Sequence, residues 1–130
     1  MIRIKLMVWA HNVSIDKLDN TPSIISLIDE VSAPEMPAVL RTETKLFALL
    51  VRDENDPKKF ISTIKVQQDK KDLIVPFNLE INFGEHIKNR IVIGIPPILL
   101  KKEKEVVFSI SKGKLQLGSY VAECFIRPTS

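Results

Sequence analysis

Two histidines and one cysteine are the residues of this 130-residue chain best suited to metal binding or nucleophilic chemistry. His11 and His86 lie far apart in the sequence, and neither has a second ligand at the short spacing that zinc sites use. Cys124 lies in an alternating apolar segment, where a thiol packs as a small hydrophobe. A reactive thiol needs an exposed, electropositive setting instead. We therefore predict no catalytic residue, no metal ligand and no cofactor.

Two further segments partly match ligand-binding loops. Asp53–Asp56 resembles the start of a calcium loop. Pro57 and Lys58 follow at the positions where such a loop needs an oxygen ligand and a glycine. The segment Gly113–Ser119 has the glycine spacing of a phosphate loop, but a serine stands where that motif needs its lysine. Turn chemistry and a strand hairpin explain these two segments better.

The residue types of a hydrolytic site are present near the amino terminus. Ser14, His11 and Asp16 supply the components of a triad, with Asp29 as an alternative acid. Nothing in the sequence forms a nucleophile elbow or an oxyanion hole. Asp29 and Glu30 are adjacent, so on a strand they point to opposite faces and cannot act on one substrate together. These residues favour a solvated strand end.

The first strand carries the candidate partner surface. If its even-numbered residues face the core, Trp9 shares the other face with Met7 and His11. An exposed strip of this kind would bind a protein partner or a ligand. The alternative is that a loop or a second copy of the chain covers this face, and it is favoured because large aromatic residues are mostly buried.

The net charge of +3 limits the range of partners. Three scattered lysine pairs, Lys58-Lys59, Lys70-Lys71 and Lys101-Lys102, lie mostly beside turn residues, where lysines are solvated and protect sheet edges. A nucleic-acid interface would gather arginines and aromatic residues on one face. Five arginines and one tyrosine are scattered through this chain. We therefore predict no nucleic-acid partner.

Targeting signals are missing from the sequence. Charges alternate with hydrophobic residues in Met1–Ala10, unlike the uninterrupted apolar core of a signal peptide. No stretch has the length of a transmembrane helix, so no membrane partner is expected. A single cysteine fits a reducing compartment, which predicts a cytoplasmic location.

Short apolar segments separated by turn residues predict the fold. The length indicates one domain covering residues 1–130. Period-2 alternation with regular turn signals predicts an all-β, two-sheet antiparallel sandwich, immunoglobulin-like or C2-like, with about eight strands and at most one short helix. Pro76 implies an edge position or a bulge. The predicted strands cover residues 2–9, 23–31, 41–52, 60–67, 73–83, 91–93, 106–111 and 115–126.

The segment Ser23–Val31 has two interpretations. Thr21 could cap a helix with Pro22 in its first position, and the isoleucines have helical spacing. The segment is also short and rich in β-branched residues, which favours a strand. We predict a strand.

A family resemblance rests on several segments. Ala10–Asp16 and Ile24–Pro37, with its Ala-Pro-Glu-Met-Pro ending, resemble the start of a family of small uncharacterised bacterial proteins. Ile93–Pro96, Ser109–Gly113 and Leu117–Ser119 are similar as well. The resemblance implies a β-sandwich in a domain of unknown function, and it carries no activity and no functional residue.

Three function classes follow from these observations. The favoured one is a non-enzymatic β-sandwich that binds another protein or assembles with itself. The second is a small-molecule or carbohydrate-binding module that uses the Trp9 face. The third is a hydrolase with an unrecognised site. An exposed apolar surface would favour the first class, a concave pocket the second, and a histidine meeting an acid in a cleft the third.

Overall fold

A computed structural model describes residues 1–128 of the chain, and these form twelve strands with no helix. No part of the described chain is therefore a helix long and apolar enough to cross a membrane. The strands are β1 (Arg3–Ile15), β2 (Pro22–Leu27), β3 (Glu30–Ala33), β4 (Ala38–Leu40), β5 (Thr44–Val51), β6 (Lys59–Gln68), β7 (Lys71–Asp72), β8 (Phe77–Asn82), β9 (Lys88–Ile95), β10 (Ile98–Leu100), β11 (Val106–Lys112) and β12 (Leu115–Ile126).

The strands form two main sheets and one small one. The four-stranded sheet has the order β2-β1-β5-β9 and is antiparallel throughout. The six-stranded sheet runs β3-β12-β11-β6, and both β7 and β8 pair with β6. Strands β10 and β4 make a separate antiparallel pair. The pairing of β12 with β3 is parallel, unlike all the others.

The all-β prediction is confirmed, but residues 1–128 form twelve strands and not about eight. Each predicted segment overlaps one of the longer strands. The four additional strands, β3, β4, β7 and β10, have two to four residues each. Segments this short contain too few residues to display a period-2 pattern.

Side chains from both main sheets meet in the core. The rings of Trp9 on β1 and Phe108 on β11 have centroids 4.7 Å apart. Gly118 on β12 lets the sheets approach closely, because a Cβ there would lie 2.9 Å from the side chain of Ile4. The Tyr120 hydroxyl donates a hydrogen bond of 2.7 Å to the Ile28 carbonyl. These contacts make the molecule a two-layer sandwich.

The predicted alternation of β6 is confirmed. Phe60, Ser62, Ile64 and Val66 are all buried on one face of this strand. The hydroxyl of Ser62 donates to the Leu79 carbonyl at 2.7 Å, which satisfies the polar group that burial removes from water. The even-numbered residues of β6 therefore belong to the core, as the pattern indicates.

The two remaining local predictions are also confirmed. The segment 23–31 is extended and not helical, although it divides into parts of β2 and β3 around Ile28 and Asp29. Pro76 directly precedes β8, whose only ladder within the described residues is with β6. Proline is tolerated at such an edge because no ladder hydrogen bond is lost there.

Candidate functional site

The predicted strip of Met7, Trp9 and His11 is not an exposed surface. Met7 is 8% exposed and Trp9 is fully buried, while His11 is exposed. The pairing of β1 with β5 shifts register between Ile4 and Leu6, so that one residue of β1 is bulged. A bulge reverses which residues face the core beyond it. The prediction of a partner surface on Met7 and Trp9 is therefore wrong.

Trp9 is a core residue whose polar N–H group has a hydrogen-bond partner. Its indole Nε1–H donates a hydrogen bond of 2.6 Å to the Thr44 hydroxyl, which is also buried. Phe108 of the opposite sheet covers its ring. The alternative that this face is covered is confirmed, and the cover is the second sheet instead of a loop or a second copy.

The bulge places other apolar residues on the outer face of the four-stranded sheet. Beyond it, Leu6 lies opposite Leu49, and Val8 lies opposite Phe47. Phe47 in turn pairs with Val92 of β9. Leu6 and Val92 are 47% and 38% exposed. The outer face of this sheet therefore carries Leu6 and Val8, which the sequence pattern places in the core.

The β1–β2 hairpin bends over part of this outer face. Val13 and Ile24 pack against Ala10 and Phe47, in a cluster separate from the main core. As a result Phe47 is only 1% exposed although it points away from the sandwich interior. The bend lies where the Val13 amide donates to the Asn12 side chain. On the partner strand, Ser26 has a φ of 57° at the same level.

A cavity of about 650 Å³ lies between the tip of this hairpin and the segment that joins β8 to β9. We call it the hairpin cavity. Its volume lies in the range of small-molecule sites, and its lining is mostly polar. It is lined by Ile15, Asn20, Asn82, Phe83, Glu85, His86, Ile87, Lys88, Asn89 and Arg90.

The wall of the hairpin cavity is held in place by Arg52. Its Nε donates to the His86 carbonyl at 2.9 Å, and its backbone amide donates to the Ile87 carbonyl, also at 2.9 Å. A further bond of 3.3 Å joins the guanidinium to the Asp53 carbonyl. The guanidinium carbon lies 5.8 Å from the centre of the Phe83 ring. Arg52 is 5% exposed, so a buried cation stands behind this wall.

Glu85 is the acidic residue of the cavity lining, and it forms an ion pair with Lys58, which is not part of the lining. Lys58 donates to both of its carboxylate oxygens, at 2.9 and 2.8 Å. This hydrogen bonding, followed by the charge of the lysine, lowers the pKa of Glu85. The carboxylate therefore stays ionised, and the charges of Arg52 and His86 at the cavity wall add smaller contributions to its lowered pKa.

The residues that could supply a triad are not joined by hydrogen bonds in the described chain. Within residues 1–128 no hydrogen bond joins the side chain of His11 to Ser14 or Asp16. His86 lies in the hairpin cavity, where Glu85 is the acidic neighbour, and that carboxylate is held by Lys58. In the described part of the chain, no three His, Cys, Asp or Glu side chains converge as metal ligands.

The calcium-like segment has a different role in this fold. The carboxylates of Asp53 and Asp56 both form ion pairs with the amino-terminal ammonium of Met1, which lies 2.8 Å from Asp56. Hydrogen bonding from this ammonium is the main cause that lowers the pKa of each carboxyl. The Asp56 carboxylate also accepts the Asp53 amide at 2.8 Å, and the Asp56 amide donates to the Asp53 carbonyl at 3.0 Å, so both bonds close the turn.

Cys124 is buried in β12, as its sequence context indicates. Its sulfur lies 3.6 Å from the Lys102 carbonyl. Burial raises the pKa of the thiol, which makes the nucleophilic thiolate scarcer at neutral pH. The thiol is therefore part of the packing.

Comparisons with protein-family models, curated proteins and solved structures find no match to this chain. The resemblance to a bacterial family stays a prediction, and function has to be argued from the fold alone.

The free edge of β9 is a candidate surface that the sequence pattern does not reveal. All eight residues of β9 pair with β5 without a register shift. On its other side, β9 has no strand neighbour among residues 1–128. The available signal was the uncharged run Ile91–Ile95. The order of strands in the sheet, which the sequence does not display, decides that this run lies at an edge.

Proposed function

We propose that this protein is a non-enzymatic β-sandwich that assembles with a second copy of itself through the free edge of β9. The observation that carries the proposal is the regular eight-residue ladder on one side of β9 and the lack of a described neighbour on the other. The outward N–H and C=O groups of such a strand form a template for another strand. Edge pairing with a second chain is a common mode of recognition.

The devices that normally protect an edge are missing from the centre of β9. Charged side chains, prolines, bulges and short length all block edge pairing. Ile91–Ile95 contains no charged residue, and the first proline follows at Pro96. The other long free edge of the four-stranded sheet is β2, which begins at Pro22 and has a left-handed residue at Ser26. Strand β9 is therefore the better template.

A twofold axis at Val92 pairs residues 89–95 of two β9 strands on the same face, as many residues as an axis at Ile91 would pair. Val92 then lies opposite Val92 of the second copy, and Ile91 lies opposite Ile93 of the second copy. Both contacts join apolar side chains, which stabilises a strand pair. The same symmetry places Arg90 opposite Gly94 of the second copy. An interface related by a twofold axis repeats each of these contacts.

Charge complementarity supports a second copy as the occupant. The space that a side chain at Gly94 would fill is bordered by the Glu43–Lys45 ion pair, with the Lys45 ammonium 3.7 Å from the position of a Cβ. The Glu43 carboxylate borders this space, 3.0 Å from the position of a Cβ on Gly94. Glu43 is 64% exposed on its side chain, and its described partner is Lys45 at 3.3 Å. Arg90 of each copy would thus approach the exposed Glu43 carboxylate of the other, which it would share with Lys45.

The compartment is a further part of this proposal. The chain has one cysteine, which is buried and reduced in the fold. Proteins without paired cysteines are typical of reducing compartments, so we place the protein in the cytoplasm.

The proposal is tested by adding a charge to the edge. Val92 is 38% exposed, so Val92→Lys can keep its fold while it places two lysines face to face at the axis. Light scattering should give the mass of a dimer for the unchanged chain and of a monomer for this variant. Like charges directly opposite each other destabilise a strand pair, and the removal of two unpaired ammonium groups from water adds to the cost.

Ile25→Lys is the matched control. Ile25 lies on β2 and is 49% exposed, so this variant adds the same charge at the opposite edge of the same sheet. We expect it to leave the dimer mass unchanged. A monomeric unchanged chain at high concentration would refute the proposal, and so would loss of the dimer in both variants alike.

A further inference from the structure

The hairpin cavity has a positively charged lining. Lys88 and Arg90 are the basic side chains that β9 contributes to it. Neither forms an ion pair within residues 1–128. The acidic member of the lining, Glu85, is held on both oxygens by Lys58. The lining thus contributes two basic groups against one carboxylate, which Lys58 already pairs.

A third cation lies behind the cavity wall. Arg52 is 5% exposed, and its guanidinium donates only to the carbonyls of His86 and Asp53 in the described chain. Carbonyl oxygens satisfy its N–H groups but do not neutralise its charge. The Glu85 carboxylate is its nearby anion: hydrogen bonding from Lys58 is the main cause that lowers the pKa of Glu85, and the charge of Arg52 contributes as well. Both His86 and Phe83, which contact Arg52, line the cavity.

The same cavity has an apolar portion. Ile15 reaches it from the tip of the β1–β2 hairpin, and Ile87 reaches it from the segment before β9. Ile87 is 47% exposed, which leaves an apolar side chain open to a ligand. A ligand that fits both portions carries a negative group and a hydrophobic group.

We propose that the hairpin cavity binds a small organic anion through a phosphate or carboxylate group. The anionic group lies near Lys88 and in the field of Arg52, and the organic part packs on Ile15 and Ile87. The volume of about 650 Å³ accommodates a molecule of this class. Oxyanions form charge-assisted hydrogen bonds with lysine and arginine, which are the strongest of the ordinary protein hydrogen bonds.

This site and the proposed pairing of β9 share Asn89 and Arg90 but differ in their other residues. Lys88 lies opposite a proline of the second copy in the proposed register, beyond the span of facing strands. Arg90 takes part in both arguments, so the test leaves it unchanged. The monomeric Val92→Lys variant should still bind the anion. Loss of the dimer and loss of anion binding can therefore be measured separately.

The experiment is calorimetric titration of the full chain with phenyl phosphate, inorganic phosphate and benzoate in chloride buffer at constant ionic strength. We expect saturable binding of one phenyl phosphate per chain, with inorganic phosphate several-fold weaker, since it lacks the apolar group. Lys88→Gln should weaken phenyl phosphate binding roughly tenfold, as expected for loss of one charge-assisted contact.

Lys101→Gln is the control. Lys101 is exposed and its backbone amide bonds to Gln68, at the end of β6 far from the β8–β9 segment. This variant removes the same charge and should change the affinity less than about twofold, because distant exposed charges are screened. Equal weakening by both variants, or no saturable binding of any of the three anions, would overturn the proposal. Equal affinity for phosphate and phenyl phosphate would refute the organic part of it.

Discussion

The two edges of the four-stranded sheet differ in backbone regularity more than in hydrophobicity. Strand β2 exposes Ile25 and Leu27, at 49% and 54%, while β9 exposes Val92 at only 38%. Nevertheless β2 begins at a proline and contains Ser26 at a φ of 57°, whereas β9 pairs with β5 through eight residues without irregularity. The comparison teaches that an edge is available when its backbone is straight, even if its side chains are less apolar.

The bend of the β1–β2 hairpin explains this difference. It turns the tip of β2 over the outer face, where Ile24 and Val13 cover Phe47. A bent and twisted strand presents its N–H and C=O groups in changing directions, so a straight partner strand cannot follow it. The residues that bend the hairpin therefore close one edge of the sheet and leave the other edge as the place for assembly.

The largest expected effect on stability tests which face of β1, in the sheet that both edges share, is buried in the core. Trp9→Ala removes a fully buried ring packed on Phe108 and leaves Thr44 without its indole partner. We expect it to lower the free energy of unfolding by about 3–5 kcal/mol, as for other buried aromatics. Urea denaturation measures this change. Leu6→Ala, at an exposed position of the same strand, should cost less than about 1 kcal/mol.

If Trp9→Ala costs no more than Leu6→Ala, the assignment of the two faces of β1 is incorrect. The comparison of edges would then lose its basis, because the face that carries Val92 would no longer be the outer one.

A smaller effect tests the bend in β2. Ser26 has a left-handed backbone conformation, which a β-branched side chain tolerates poorly. Ser26→Val should therefore destabilise the fold by about 1–2 kcal/mol. Ser26→Gly should leave stability unchanged or slightly higher, because glycine adopts this conformation without strain. Thermal unfolding of the two variants gives the answer, and a stable Ser26→Val would mean that the bend is absent.

The smallest effect tests the proposed contacts at the β9 edge. Glu43→Lys replaces the acid that faces Arg90 of the second copy, and we expect a dissociation constant raised roughly threefold to tenfold, since exposed ion pairs contribute about 0.2–1 kcal/mol each. The double variant Glu43→Lys with Arg90→Glu should recover most of the affinity. Analytical ultracentrifugation can follow both. Failure of the double variant to recover would refute the register with its axis at Val92.

Local patterns predict much of this fold. The alternation in β6 identifies Phe60, Ile64 and Val66 as core residues because no bulge interrupts that strand. The same logic fails in β1, where the irregularity between Ile4 and Leu6 reverses the two faces. No residue type marks this bulge in advance, since its position depends on pairing with β5.

The candidate sites depend even more on tertiary structure. The sequence shows Lys88, Arg90 and Arg52 only as separate basic residues. The cavity beside them forms because the tip of the β1–β2 hairpin lies close to the β8–β9 segment. The uncharged run of β9 is visible in the sequence, but its edge position follows from strand order. Both features require long-range pairing, which periodicity does not encode.

Amide hydrogen exchange tests the pairing of β9 most directly. In the unchanged chain at low concentration, alternate amides of Ile91–Ile95 should exchange quickly, because every second N–H points to the free edge. At high concentration these amides should become protected, while the amides of β2 keep the same exchange rates. Exchange in β9 that does not depend on concentration, or protection that rises in β2 instead, would contradict assembly through the β9 edge.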